Sequence, residues 1–308
     1  MKILLSILVA ALLLSSCPER RLYDAFNGND RKPPVLLEHE LRTNSLFRAV
    51  YDEYVFIRDI ELDGKKLGYT GKGNIFNIQF PSPLSRGQKA VLSITVEDSG
   101  GNTSRSSFSL TGINDNVPPA VINEFSIKGT GSSPDRVEIL FLGSGNTAGM
   151  ELADGTDEKH NHSFTLPEEE VNEGDIFLIY WNTEIMGDAC YDREDGITWS
   201  FSAGSKKTLS GTSGALILYT SENGSIIDGV VYKNSTSDTN SITEESAYML
   251  QMKGEREGDL LSSDLVTSSR VFARLPEGVD TNTSDDFFIT QARKSSFGST
   301  NTYFPYEK

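Results

Sequence analysis

Residues 90–110, AVLSITVEDSGGNTSRSSFSL, decide the fold of the first half of the chain. Ala90, Leu92, Ile94 and Val96 alternate with Val91, Ser93, Thr95 and Glu97, a period of two that puts one apolar set on one face of a strand. Asp98-Ser99-Gly100-Gly101-Asn102 follows, a run of turn formers in which glycine supplies the positive φ of a tight connection. Phe108 and Leu110 then resume the alternation. The expected unit is an antiparallel hairpin with one buried face.

Working outward, Phe76, Ile78 and Phe80 carry the same period, and Asp63-Gly64 marks a turn before them. From Val35 to Ile113 the signals are all strand and turn, which argues for a β-sandwich. The stretch 92–110 resembles the last hairpin of bacterial immunoglobulin-like domains. Asn114-Asp115-Asn116-Val117-Pro118-Pro119 comes next, and its two prolines lack donors and force extended backbone before them. A second domain is therefore expected from 118. Asn114, Asp115 and Asn116 ahead of proline are also similar to the calcium-binding linkers of cadherins, which implies these three as calcium ligands. Gly112 stands where that motif has an aspartate.

The second domain carries the most specific pattern. It runs VINEFSIKGTGSSPDRVEILFLG (121–143), HSFTLPEEEVNEGDIFLIY (162–180), then GALILYTSENGSIIDGVVY (214–232), a hairpin turning on Asn223-Gly224. Residues 268–301 close it with Arg274, Asp286-Phe287, Gly298 and Asn301. This order resembles the lamin-tail domain, an immunoglobulin-like β-sandwich found in nuclear lamins and in exported bacterial proteins. Phe297 replaces the proline usual before the closing glycine. Residues 182–207 and 234–268 exceed what the strand pattern needs and read as long loops.

The chain opens with Lys2, an apolar run from Ile3 to Leu14, and Ser15-Ser16-Cys17. A basic start, a short apolar core and small residues at the cleavage point make an export signal, and the run is too short for a membrane span. It resembles the lipobox of bacterial lipoproteins, which implies that Cys17 becomes the acylated first residue. Multiple acyl chains would then anchor the mature protein. With Cys17 committed to lipid, Cys190 has no mate, and burial as a small hydrophobe is the expectation. A formal charge of −16 repels nucleic-acid phosphates.

Few residues offer chemistry. His160 and His162 lie two apart before Phe164 and Leu166, so a strand there would point all four to one side, with Asp154, Asp157 and Glu158 near enough to share a metal. No glutamate stands at zinc-enzyme spacing from the pair, and a polar loop entering a strand is the favoured reading. Asp188, Asp192, Glu194 and Asp195 around Cys190 read as a solvated acidic loop. The serines have no glycine-framed elbow and no spaced histidine, so acyl transfer lacks its base.

These observations predict an all-β chain of two immunoglobulin-like β-sandwiches in tandem. Residues 1–16 are the signal, 17–34 the lipidated N-terminus and tether, 35–117 the immunoglobulin-like domain and 118–308 the lamin-tail domain. The expected protein is a non-enzymatic lipoprotein of the bacterial envelope, at the outer membrane, cell surface or periplasmic leaflet. It would meet the membrane through its lipid anchor and hold a protein or glycan partner through sandwich surfaces, with no nucleic acid and no cofactor beyond the calcium considered above. The alternative is a hydrolase or nuclease accessory, or a weak metal-dependent hydrolase.

Overall fold

A computed structural model of the protein describes residues 31–187, 189–206, 208–236 and 238–307. The signal, Cys17, most of the tether and Asp188 lie outside the described residues. The chain is all-β in class, and it divides into two units, Met1–Ile113 and Asn114–Lys308. The boundary falls before Asn114, four residues ahead of the expected start. The reason is bonding: the Asn116 carbonyl accepts from Asn146 N at 2.7 Å, and Asn114 Nδ2 donates to the carbonyls of Asn146 (2.6 Å) and Ala148 (3.1 Å).

The first unit is one antiparallel sheet of β1 (Leu36–Thr43), β2 (Leu46–Leu62), β3 (Lys65–Lys66), β4 (Lys72–Gln79), β5 (Lys89–Glu97) and β6 (Thr103–Thr111). Seventeen-residue β2 is its spine. Its first half lies between β1 and β4, and its second half pairs with β5. Against β4 the register breaks between Val50 and Val55, an irregularity midway along β2. Phe47 of β2 packs on Phe108 of β6, with ring centroids 4.9 Å apart. Phe76, Ile78, Phe80, Ala90, Leu92, Ile94, Val96 and Leu110 are all buried there, as their alternation implied.

The second unit is built from β7 (Ala120–Ser126), β8 (Arg136–Phe141), β9 (Gly145–Asn146), β10 (Glu151–Ala153), β11 (Ser163–Thr165), β12 (Glu170–Val171), β13 (Ile176–Tyr180), β14 (Cys190–Arg193), β15 (Gly196–Ser202), β16 (Ser213–Tyr219), β17 (Ile226–Lys233), α1 (Ser241–Lys253), β18 (Leu261–Ser262), β19 (Phe272–Arg274) and β20 (Phe287–Ile289). One sheet has the order β14-β15-β13-β8-β7-β19-β20, another β11-β10-β16-β17-β18. Ile122, Phe125, Val137, Ile139, Phe177 and Ile179 from the first share a core with Leu152, Leu216, Leu218, Val230 and Tyr232 from the second. Side chains on the opposite face of the second sheet, Ala215, Ile217, Tyr219 and Val231, pack with Leu250 of α1.

Both segments expected as loops carry regular structure. Residues 182–207 hold β14 and β15, which extend the larger sheet, β15 running parallel to β13. Residues 234–268 hold α1 and β18. The helix is capped at both ends: Asn240 Oδ1 accepts from Thr243 N at 2.8 Å, and Gly254 closes it in the left-handed region, each the residue type its position favours. It sits close to the sheet because residue 229 is glycine; a Cβ there would lie 2.6 Å from a Leu250 methyl. Cys190 is exposed on edge strand β14, which corrects the expectation of burial. The alternation of an edge strand turns it outward.

Candidate functional site

The residues that carry the closing sequence pattern converge in space. Arg274, 1 % exposed, donates from Nη2 to Asp228 Oδ2 (2.6 Å), from Nε to the Ile122 carbonyl (3.0 Å) and from Nη1 to Asp280 Oδ1 (3.1 Å). Asp286 is a further ion partner at 3.8 Å, and the Phe287 ring lies 4.5 Å below the guanidinium. A buried cation persists only when its donors are paired in this way. Burial pushes the Asp228 carboxyl up, with Arg274 opposing.

Alongside lies a second buried cluster. Asn301 Nδ2 donates to the Arg274 carbonyl (2.8 Å) and to Asn123 Oδ1 (3.0 Å), while Asn123 Nδ2 donates to Glu138 Oε1 (2.6 Å). Gly298 N donates to Glu138 Oε2 at 2.6 Å, and Ser296 N to both oxygens of Glu124 at 3.0 Å. Residues 296–301 thus close over β7 and β8. Burial raises both carboxyls, Glu138 to about 7 and Glu124 well above its usual range, with Glu138 adding to the rise at Glu124. This pattern is a latch between chain segments, and its polar atoms are spent on one another.

The other buried carboxylates do similar work on loops. Asp135 accepts from Gly129 N and Leu209 N, Asp175 from Asn172 N and Ile197 N, and Asp154 from Asn161 N and His162 N. That last bond set explains the histidines. Strand β11 starts only at Ser163, so residues 160–162 wrap around Asp154 instead of running straight. His160 Nδ1 meets the Thr156 carbonyl at 2.9 Å, while His162 Nε2 meets the Ala203 carbonyl at 2.8 Å and packs edge-on to Trp181. The structure gives them separate partners. Around Cys190, Asp195 pairs with Arg193 at 2.5 Å and accepts from the Thr300 hydroxyl. At the linker, Asn114 Oδ1 accepts from Asn116 N at 3.0 Å. Among the described residues, no three His, Cys, Asp or Glu side chains gather where they could hold a metal ion.

What sequence reasoning missed is a recess on the helix-covered face of the second unit, about 570 Å³ in volume. Its walls are the 156–158 loop, the turn between β16 and β17, and α1, and Asp157, Asn223, Met249 and Lys253 recur around it. Tyr248 and Met252 stand beside it, 66 % and 67 % exposed. Tyr219, 1 % exposed, forms part of the wall. The Asp157 carboxyl is pushed up to about 6, by burial first and then by the Glu151, Glu222 and Glu158 carboxylates, with His160 opposing. The sequence signal was present in Asn240 and Gly254, the helix caps. The wall itself depends on pairing that brings residues 157, 219 and 249 together.

Among known proteins, the family model TP_1001_2nd, described as a protein second domain, matches residues 118–289. A solved structure of a DUF4876 family protein from Bacteroides thetaiotaomicron VPI-5482 is similar at 13 % identity and a TM-score of 0.39, covering 81 % of this chain and 95 % of that one. No curated protein matches the chain. Among the described residues no helix is long and apolar enough to cross a membrane.

Proposed function

We propose that this chain, which belongs to the TP_1001_2nd family through residues 118–289, is a lipid-anchored envelope protein that acts by binding and catalyses no reaction. Its first unit would be an immunoglobulin-like spacer above the acylated Cys17, and its second a lamin-tail module that meets a protein or glycan partner. The observation that carries the reading is how the polar groups are used. Asp135, Asp154, Asp175 and Glu138 each accept backbone amides that fix a loop or the C-terminal segment, which is a structural use of a carboxylate. The open recess with Tyr248 and Met252 at its mouth has the character of a contact surface instead. Convergence of Arg274, Asp286, Phe287, Gly298 and Asn301 in two adjoining networks, joined where Asn301 donates to the Arg274 carbonyl, supports reading the closing pattern as the signature of a single module. Calcium at Asn114–Asn116 is left out of the proposal, because the Asn114 amide is already bonded on both its oxygen and its nitrogen.

The test pairs anchoring with turnover. Palmitate labelling and membrane fractionation are expected to follow Cys17, and Cys17→Ser to abolish both. Purified protein with divalent metals is expected to leave phosphoester and nucleic-acid substrates intact. A Cys17→Ser protein that stays labelled in the membrane overturns the anchor, and turnover lost in a His160→Ala, His162→Ala double variant overturns the non-enzymatic reading.

A further inference from the structure

The outward face of β2 in the first unit carries apolar side chains that the core does not use. Burial alternates along the strand: Val55 and Ile57 turn inward, while Asp52, Tyr54 and Phe56 turn out. The Tyr54 and Phe56 rings meet edge to face, with centroids 6.0 Å apart. Val35 lies to one side, its amide donating to Asp52 Oδ1 at 2.8 Å and its carbonyl accepting from Asp52 N at 3.0 Å. Ile75 of β4 stands opposite Val50 on the other side, and Leu37 sits at the bulge of β1 between Leu36 and Glu38. Val35, Leu37, Tyr54, Phe56 and Ile75 are 37–60 % exposed, and apolar side chains gathered in this way mark a contact surface.

Two features of the chain say what covers this face. The first is a division of charge: residues 31–113 carry eleven basic and nine acidic side chains, whereas residues 114–308 carry fourteen and thirty-two. The negative charge of the chain thus belongs to the second unit, and the first does not repel anionic headgroups. At the patch Lys72 lies opposite Phe56, and nearby carboxylates are engaged, Glu38 with Arg48 at 3.1 Å, Glu97 with Arg58 at 2.5 Å and Asp52 with the Val35 amide. The second feature is distance along the chain. Eighteen positions separate Cys17 from Val35, at most about 60 Å of fully extended backbone, so a lipid on Cys17 keeps this face within reach of the bilayer that the lipid enters.

We infer that the face around Val35, Tyr54 and Phe56 lies on the membrane surface, with the two rings in the interfacial layer and Lys72 among the headgroups. The inference rests on the lipid-anchored reading and gives that anchor a second point of attachment. Tyrosine suits the interfacial layer because its ring is apolar and its hydroxyl polar. Lysine suits its edge, laying an apolar stem on the patch while its ammonium meets headgroup phosphates. With the lipid in place this contact is intramolecular, so a surface too small to hold a free protein is enough. A protein partner or a second copy could use the same side chains, but neither draws anything from the division of charge or from the nearness of Cys17.

The experiment couples the mature chain, as Cys190→Ser, through its Cys17 thiol to a maleimide lipid in vesicles of phosphatidylethanolamine and phosphatidylglycerol mixed three to one. Attachment then does not depend on acylation in the cell. With brominated acyl chains in the vesicle, the emission that a Tyr54→Trp substitution adds to that of Trp181 and Trp199 should fall roughly twofold. The same protein with Leu37→Ser and Phe56→Ser should lose that quenching. All three changes are at exposed positions, and the melting temperatures should match the parent's. No quenching, or equal quenching with the two serines in place, overturns the inference. A dimer seen by sedimentation without lipid, and abolished by the two serines, assigns the face to a second copy and overturns it as well. Because the maleimide supplies the attachment, a missing palmitate label in the cell removes the anchor reading, whereas missing quenching on the vesicles removes this inference alone.

Discussion

Glu124 on β7 sits directly opposite Glu138 on β8, and both are sealed from water at 0 % exposure. Like charges at directly opposed positions of a sheet repel, so the arrangement holds only while at least one carboxyl keeps its proton. Arg136 and Arg193 reduce the repulsion but lie outside the pair itself.

Stability is therefore expected to fall as the solution becomes alkaline. The folded-state Glu138 carboxyl, at about 7 against an ordinary 4.5, binds protons more tightly than the unfolded chain does. Its contribution is complete below 4.5 and is lost as pH rises through about 7. Thermal melts of the second unit between pH 5 and 8.5 should show a falling melting temperature. Glu138→Gln should flatten that slope, at the cost of one hydrogen bond. An equal slope in the variant would place the titration elsewhere.

Arg274→Met should destabilise the second unit by roughly 3–5 kcal/mol, because it leaves Asp228 buried without its cation. Arg274→Lys should recover only part of this, since an ammonium cannot reach the Ile122 carbonyl, Asp228 and Asp280 from one planar fork. Urea titrations of the three proteins give the comparison. Equal midpoints would show that the ion cluster is replaceable.

Gly298 occupies φ +81° and a side chain there would collide with the Tyr191 hydroxyl. Gly298→Ala should cost more than about 1 kcal/mol, and it should loosen residues 296–301 selectively, read as faster amide exchange at Ser296 and Gly298. Exchange unchanged at those two amides would argue against the latch.

The two units should melt independently, with the linker belonging to the second. A piece of residues 114–308 should be more stable than one of 118–308 by roughly 1–2 kcal/mol, the worth of the bonds from Asn114 and Asn116. Coincident midpoints would return the boundary to Pro118.

The strands of the first unit were legible because their period is clean: Ala90, Leu92, Ile94 and Val96 point inward and their neighbours do not. Uninterrupted apolar runs such as Ile176–Tyr180 and Ala215–Tyr219 are buried on both faces, and these too could be read as strands between turns. Strand β14 was not legible, since Cys190, Tyr191 and Asp192 carry no apolar alternation at a sheet edge that is half exposed; β15 does alternate, Ile197, Trp199 and Phe201 with Thr198, Ser200 and Ser202, a signal the loop reading passed over. The helix escaped for a related reason: Ala247, Tyr248, Met249, Leu250 and Met252 cluster without a stripe, and only Leu250 among them is buried. The residues of the closing pattern were visible as letters. That Arg274 and Glu138 lie in adjoining buried networks follows only from the pairing of β19 with β7 and β7 with β8.

The latch also sets an order of events for a chain made from its N-terminus. Glu124 waits 172 residues for Ser296, and Glu138 waits 160 for Gly298. At roughly 5–20 residues per second, that is a delay on the order of 10–30 s during which two carboxylates lack the amides that make their burial tolerable. During that interval the hairpin of β7 and β8 is without two of the bonds that its final packing contains. The buried carboxylates near the start of the second unit thus depend on residues 296–298 near its end.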